Sequence, residues 1–226
     1  MKHACPNLKL LSFHIPKTGG TSFRNTLKGV YGEEAVVRVD AAKSATIHVE
    51  QTPIAPGTPI LQPVIHGHIF WSKWLSDFEA GPEVTKVIWL RDPVERVASQ
   101  YYYLAEVLER ELDEQGKGLN ILSKLMKTFP EFIRNRKVQN ILSRYVSIDD
   151  LDQNFHFVGL LEHRQEDLAK LARRLDWPEY EDHHHNATTD RPAPTPEERD
   201  LIRAYNQADV RLYEQALEWR EKGRYA

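Results

Sequence analysis

Phe13-His14-Ile15-Pro16-Lys17-Thr18-Gly19-Gly20-Thr21-Ser22-Phe23 is the stretch on which the reading of the fold turns. It follows an apolar run, Leu8, Leu10, Leu11, Phe13 and Ile15, that reads as a buried strand. It opens a segment, Thr21 to about Tyr31, that reads as a helix. Between them lie a lysine, two glycines and three hydroxyl residues. A glycine turn brings backbone N–H groups close to an anion, and the helix N-terminus adds unpaired donors and a favourable dipole. Lys17 supplies a full positive charge, and Thr18, Thr21 and Ser22 supply hydroxyls. The stretch has the composition of a phosphate cradle. The competing reading is an ordinary strand-to-helix turn with a solvated lysine.

The cradle differs from a Walker A loop, in which the lysine follows the last glycine. Here Lys17 precedes Gly19 and Gly20, so a nucleotide must sit differently. Pro-Lys-Thr-Gly-Gly-Thr-Ser after a strand resembles the 5′-phosphosulfate loop of sulfotransferases that use 3′-phosphoadenosine 5′-phosphosulfate (PAPS).

The rest of the chain is consistent with one α/β domain over residues 1–226. Hydrophobic residues make up 41% and charged residues 28%, ordinary proportions for a globular protein. The net charge of −3 argues against a nucleic-acid partner and requires any anion site to be local. A single cysteine, Cys5, rules out an intrachain disulfide framework and leaves a cysteine-based zinc site short of ligands. The N-terminus has no apolar run of signal-peptide length and no window approaches a membrane span, so a cytoplasmic protein is expected.

Further elements follow in alternation. Ala35–Val39 is β-prone, and residues 41–63, with Pro53, Pro56, Pro59 and Pro63, read as an irregular loop or sheet edge. Pro63–His66 ends a strand, and Ile69–Phe78 has helical spacing. Val84–Leu90 leaves little polar face, as expected for a central parallel strand. Asp92, Pro93 and Glu95 then form a capping-box start to a helix that runs to about Leu112. Short helical pieces follow over 119–146; Lys124, Lys127, Arg134, Arg136, Lys137 and Arg144 among them read as a solvated face or as the lining for an acidic acceptor. Phe155–Leu161 is a third strong strand, leading to a helix over Glu166–Leu175. Trp177–Pro196 reads as a long loop. A last helix begins at Thr195 and carries an apolar stripe through Leu201, Tyr205, Ala208, Leu212, Ala216 and Trp219. The alternation predicts a mostly parallel central sheet flanked by helices, a P-loop-like sandwich.

Two more constellations carry chemistry. Arg91, at a strand's carboxyl end, reaches the crevice where open α/β sheets bind ligands. Arg-Asp-Pro with Ser99 eight residues after Arg91 resembles the sulfotransferase element that holds the 3′-phosphate of PAPS. The other reading pairs Arg91 with a carboxylate and leaves Ser99 on a helix face. His66-Gly67-His68 lies between a strand and a helix, and a histidine is suited to accept a hydroxyl proton near neutral pH. Two structural histidines are the alternative; no third ligand for a metal is evident. His183-His184-His185 reads as a solvated loop, with weak metal binding as the other reading.

His-Gly-His ahead of Arg-Asp-Pro-x-Glu-Arg, Ser99 and Tyr101-Tyr102 is similar to the heparan sulfate 2-O-sulfotransferase and uronyl sulfotransferase branch. The similarity runs through Phe157-Val158-Gly159-Leu160 and Thr188-Thr189. It implies PAPS as donor, 3′-phosphoadenosine 5′-phosphate (PAP) as product, and no metal. It implies catalytic roles for His68, as base, and for His66 and Lys17. It further implies nucleotide binding by Lys17, Thr18, Gly19, Gly20, Thr21, Ser22, Arg91, Ser99, Thr188 and Thr189. The acceptor would bear a hydroxyl, with a sugar or glycan the expected class. The family places basic residues before the two threonines; Asn186 and Ala187 stand there, with Arg191 as the nearby cation. The anchor, secretory signal and cysteine pair of the animal enzymes are missing, so a Golgi enzyme is not expected. Two other functions remain open on the residues alone: a P-loop nucleotide kinase, and a non-catalytic nucleotide- or carbohydrate-binding module.

Overall fold

The computed structural model describes residues 1–41, 46–115, 128–183 and 191–224. The chain runs β1 (His3–Ala4), β2 (Leu10–Phe13), α1 (Gly20–Tyr31), β3 (Val36–Asp40), β4 (His48–Val49), β5 (Thr52–Pro53), β6 (Val64–Gly67), α2 (Trp71–Asp77), β7 (Phe78–Glu79), β8 (Thr85–Leu90) and α3 (Pro93–Gln115). After residue 127 come α4 (Phe129–Ile133), α5 (Ile141–Tyr145), α6 (Ile148–Asn154), β9 (Phe157–Leu160), α7 (Arg164–Arg174), α8 (Pro196–Tyr205) and α9 (Gln207–Glu221).

Seven strands form one sheet in the order β5-β4-β3-β6-β2-β8-β9. The five from β3 to β9 are mutually parallel, and β4 and β5 add an antiparallel edge. Strands β2, β6 and β9 are buried at every position, which explains why they are mostly apolar, with Ser12 and His66 the buried polar members, bonded to each other at 2.8 Å. The proline-rich stretch 41–63 supplies the short edge pair, where a missing ladder donor is tolerated. From β2 the chain crosses to one side of the sheet, and from β8 it crosses to the other. That reversal opens a crevice above the carboxyl ends of the central strands. A separate parallel pair, β1 with β7, fastens the N-terminus.

Two expectations about helices need correction. The C-terminal stripe is carried by two helices, because the chain turns at Asn206 (φ −124°, ψ 35°). The Asn206 side chain is buried, accepts the Asn140 N–H at 2.8 Å and donates to the Ile202 carbonyl at 2.8 Å. These bonds hold α8 and α9 against the start of α5, and the 3.6-residue pattern cannot reveal the break. At α3, Asp92 does cap the helix, its Oδ1 accepting the N–H groups of Val94 (2.8 Å) and Glu95 (3.1 Å). The Glu95 carboxylate, expected to complete a capping box, instead pairs with Arg191 and lies 3.7 Å from Arg199.

Candidate active site

The carboxyl ends of β2, β6, β3, β8 and β9 gather the polar side chains of the crevice. After β2 the loop His14–Gly19 turns sharply, with Lys17 (φ 72°) and Gly19 (φ 81°) both in the left-handed region. For a lysine this costs about 1 kcal/mol, and such strain concentrates at functional loops. Neighbours fix the conformation. The Thr18 hydroxyl donates to the Ile15 carbonyl at 2.9 Å, and Arg91 Nη1 donates to the Lys17 carbonyl at 3.2 Å. Thr18 is buried and its hydroxyl is occupied within the loop, so the hydroxyl braces the turn. The N–H groups of Gly20 and Thr21 fall in the first turn of α1, ahead of the bond from the Phe23 N–H to the Gly19 carbonyl (3.1 Å), in the part of a helix whose donors lie outside the intrahelical ladder. No side chain caps this helix end.

Gly20 is required by packing. A Cβ there would lie 2.0 Å from Cδ2 of His14, so the His14 ring lies directly against the start of α1.

Lys17, Arg91 and Arg191 converge on this loop. The Lys17 ammonium sits 3.9 Å from the ring centroid of Tyr103, whose side chain is exposed. Burial lowers the Lys17 pKa, and the positive charges of Arg91 and Arg191 lower it further, against Glu106. Arg91 is likewise lowered by burial and by Arg191, against Glu162, Glu95 and Asp92. Its Nε is buried without a hydrogen bond among the described residues; Glu162 is 3.9 Å away. Glu162 itself accepts the Asp92 N–H (3.1 Å) and the Tyr213 hydroxyl (2.9 Å), tying this corner to α9. Ser99 is buried on α3, two turns into the helix that Arg91 precedes. Thr188 and Thr189 lie outside the described residues.

Across the crevice three imidazoles form a stack. The His14 ring lies between His66 (centroids 5.0 Å) and His68 (4.2 Å). His66 is 2% exposed, and its Nδ1 is 2.8 Å from the Ser12 hydroxyl. Burial, followed by the His68, Arg24 and Arg38 charges, pushes its pKa down to about 3, with the Gly20 backbone opposing. His14 is held well below the usual histidine range by burial, then by His66, His68, Arg38 and Lys17. His68, like His14, is partly exposed, its side chain at 19%, with Nδ1 3.2 Å from Asp40 Oδ1. Gly67 makes the arrangement possible: a Cβ there would lie 1.8 Å from the Val39 carbonyl oxygen, so only glycine lets β3 approach β6. Among the described residues no group of three His, Cys, Asp or Glu side chains is arranged to hold a metal ion.

The structure thus assembles Lys17, Gly19, Gly20, Thr21, Ser22, Arg91, His66 and His68 at one end of the sheet. Sequence reasoning did not single out His14, Asp40, Tyr103 and Glu162. Asp40 and Glu162 carried a usable signal, since each is a carboxylate at or just beyond the carboxyl end of a parallel strand.

The model of the sulfotransferase family matches residues 3–215. The chain belongs to the sulfotransferase family. A crystal structure of mouse sulfotransferase SULT7A1 complexed with PAP superposes with a TM-score of 0.43 at 12% sequence identity. The superposition covers 91% of this chain and 65% of that one, so the chain spans less than two thirds of that protein's length. Comparison with curated proteins finds no match.

Proposed function

We propose that this protein transfers a sulfuryl group from PAPS to the hydroxyl of an acceptor, with a sugar or glycan as the acceptor class. The observation that carries the reading is the meeting of Lys17 and Arg91 beside a helix N-terminus, joined at 3.2 Å through the Lys17 carbonyl, with both held below their ordinary range by burial and then by neighbouring positive charge. Like charges held together in a half-buried crevice are costly unless a multiply charged anion joins them. A nucleotide with phosphates at both the 5′ and 3′ positions meets that requirement at two points. The first-turn N–H groups of α1, with the hydroxyls of Thr21 and Ser22, would hold the 5′-phosphate. Arg91 and Ser99 would hold the 3′-phosphate and select PAPS over ATP. The carbonyl link from Lys17 to Arg91 couples the two halves.

In the reaction the acceptor oxygen attacks sulfur in line with the bond to the bridging oxygen. Lys17 would leave the Tyr103 face to stabilise charge developing on that oxygen. His68 would take the acceptor proton. His66, buried and held neutral, supports the stack from below and is not the group that meets the acceptor. The similarity to the heparan sulfate 2-O-sulfotransferase branch supports a sugar acceptor, as does Tyr103, an exposed aromatic face beside the lysine. Asp92 caps α3 with the carboxylate that a kinase reading would need for magnesium.

Labelled PAPS and a panel of sugar and phenolic hydroxyls test the assignment. Wild-type protein should move label to at least one acceptor. His68→Ala should lose transfer by about 10²-fold or more while PAP binding is retained. Transfer by His68→Ala at the wild-type rate would remove His68 from the mechanism. PAP binding without transfer to any acceptor would favour a non-catalytic module.

A further inference from the structure

A histidine that accepts a proton needs one ring nitrogen bare, and the partner of the other nitrogen decides which one. In His68 that partner is Asp40, whose Oδ1 is 3.2 Å from Nδ1. A carboxylate has no hydrogen to give, so the hydrogen belongs to Nδ1. Asp40 is in turn held by Arg38, with Nε 2.8 Å from Oδ2 and Nη2 donating to Oδ1 at 3.3 Å. The backbone sets the spacing: β3 pairs with β6 up to Arg38 and His66, and the Ala41 N–H donates to the His68 carbonyl at 2.8 Å. From β2, the His14 N–H donates to the Gly67 carbonyl at 2.8 Å, placing the His14 ring on the other face of His68. Three strand ends therefore fix one imidazole.

We propose that Asp40 is the positioning residue of His68, holding the Nδ1–H tautomer, turning the bare Nε2 to the acceptor and stabilising the imidazolium once formed. This inference rests on the sulfotransfer reading above. In the step itself, the acceptor oxygen forms a bond to sulfur as the bond from sulfur to the bridging oxygen breaks. The hydroxyl proton passes to Nε2 of His68. The electron pair of the broken bond leaves on the 5′-phosphate of PAP, and the imidazolium later gives its proton to solvent.

The charged and titratable surroundings suit this role. Asp40 and Arg38 come from β3, His66 from β6, and His14 and Lys17 from the loop after β2. Tyr145 comes from α5; its hydroxyl is raised chiefly by burial and then by Asp40, so it adds no negative charge near neutral pH. His14 and His66 remain neutral and set no full positive charge against a protonated His68. Among the described residues, Asp40 is a carboxylate within hydrogen-bonding reach of Nδ1.

Nitrogen-15 NMR of protein labelled at histidine tests the proposal without an acceptor, with the His68 ring signals assigned by their loss in His68→Gln. The expected wild-type result is a protonated Nδ1 and a bare Nε2. Asp40→Asn should shift the ring toward the Nε2–H tautomer and lower its titration midpoint, because the stabilising carboxylate is gone. Asp40→Glu should restore the Nδ1–H tautomer. An Nε2–H tautomer in wild type overturns the proposal whether or not the variants fold, and so does a tautomer and midpoint unmoved in Asp40→Asn. PAP titrated into the same wild-type sample separates the two readings. Absence of PAP binding removes the sulfotransfer reading and leaves the tautomer result intact.

Discussion

His66 makes acid stability a direct readout of the buried stack. In the native state its pKa lies at about 3, and in the unfolded chain it returns to an ordinary value near ~6.5. Between those limits the unfolded state binds a proton that the native state refuses, so stability falls as pH drops through this window. At pH 5 the loss from this one residue is about 2 kcal/mol, the roughly 1.5-unit gap multiplied by ~1.4 kcal/mol per unit. For a chain of this size that corresponds to a fall of about 4–8 °C in melting temperature. His14 is lowered for related reasons and adds loss of the same sign. The assay is urea unfolding followed by tryptophan fluorescence, with Trp89 buried beside Phe23 as a reporter, at pH 7 and pH 5. His66→Asn places an amide where Nδ1 meets Ser12 and does not titrate. Its stability should be lower at pH 7 and should fall by about 2 kcal/mol less than wild type on acidification. Equal falls in the two proteins would show that His66 is not the buried neutral group described here.

Other perturbations probe the frame and the reaction. Gly67→Ala should cost about 3 kcal/mol, the upper range for overpacking, because the new methyl meets the Val39 carbonyl and not a movable side chain; thermal melting checks it, and an unchanged melting temperature would refute the tight β3–β6 approach. His68→Ala, the variant of the transfer assay, removes a partly exposed ring and should melt cooperatively within about 1 kcal/mol of wild type.

The sheet was legible because its central strands are buried on both faces. Leu10–Phe13 and Val87–Leu90 therefore read as apolar segments, interrupted only by Ser12, and Gly19 and Gly20 marked the turn between strand and helix. The loop lysine, Arg91 and His68 were legible because each follows a strand that could be recognised, while His66, expected between strand and helix, lies inside β6 and pairs with Arg38 of β3. What joins them was not. The contact of Asp40 with His68 depends on the register of β3 against β6, across 28 residues of proline-rich chain. Arg191 reaches Glu95 over 96 residues, and no local pattern links them. The turn at Asn206 escaped for a related reason: the residue that breaks the helix is satisfied by Asn140, far away in sequence. Local periodicity specifies elements, while the partners of buried polar groups are set by how those elements meet.

The claim that the cationic crevice is built for a nucleotide with a 3′-phosphate is tested most directly by calorimetric titration of wild-type protein and Arg91→Gln with PAP and adenosine 5′-phosphate. A charge-assisted contact to the 3′-phosphate contributes about 1.5–3 kcal/mol, so wild-type protein should bind PAP about 10- to 100-fold more tightly than adenosine 5′-phosphate. Arg91→Gln should erase most of that difference, with the loss of adenosine 5′-phosphate affinity through the unbraced Lys17 loop smaller than the loss for PAP. Equal wild-type affinities for the two nucleotides would contradict the account.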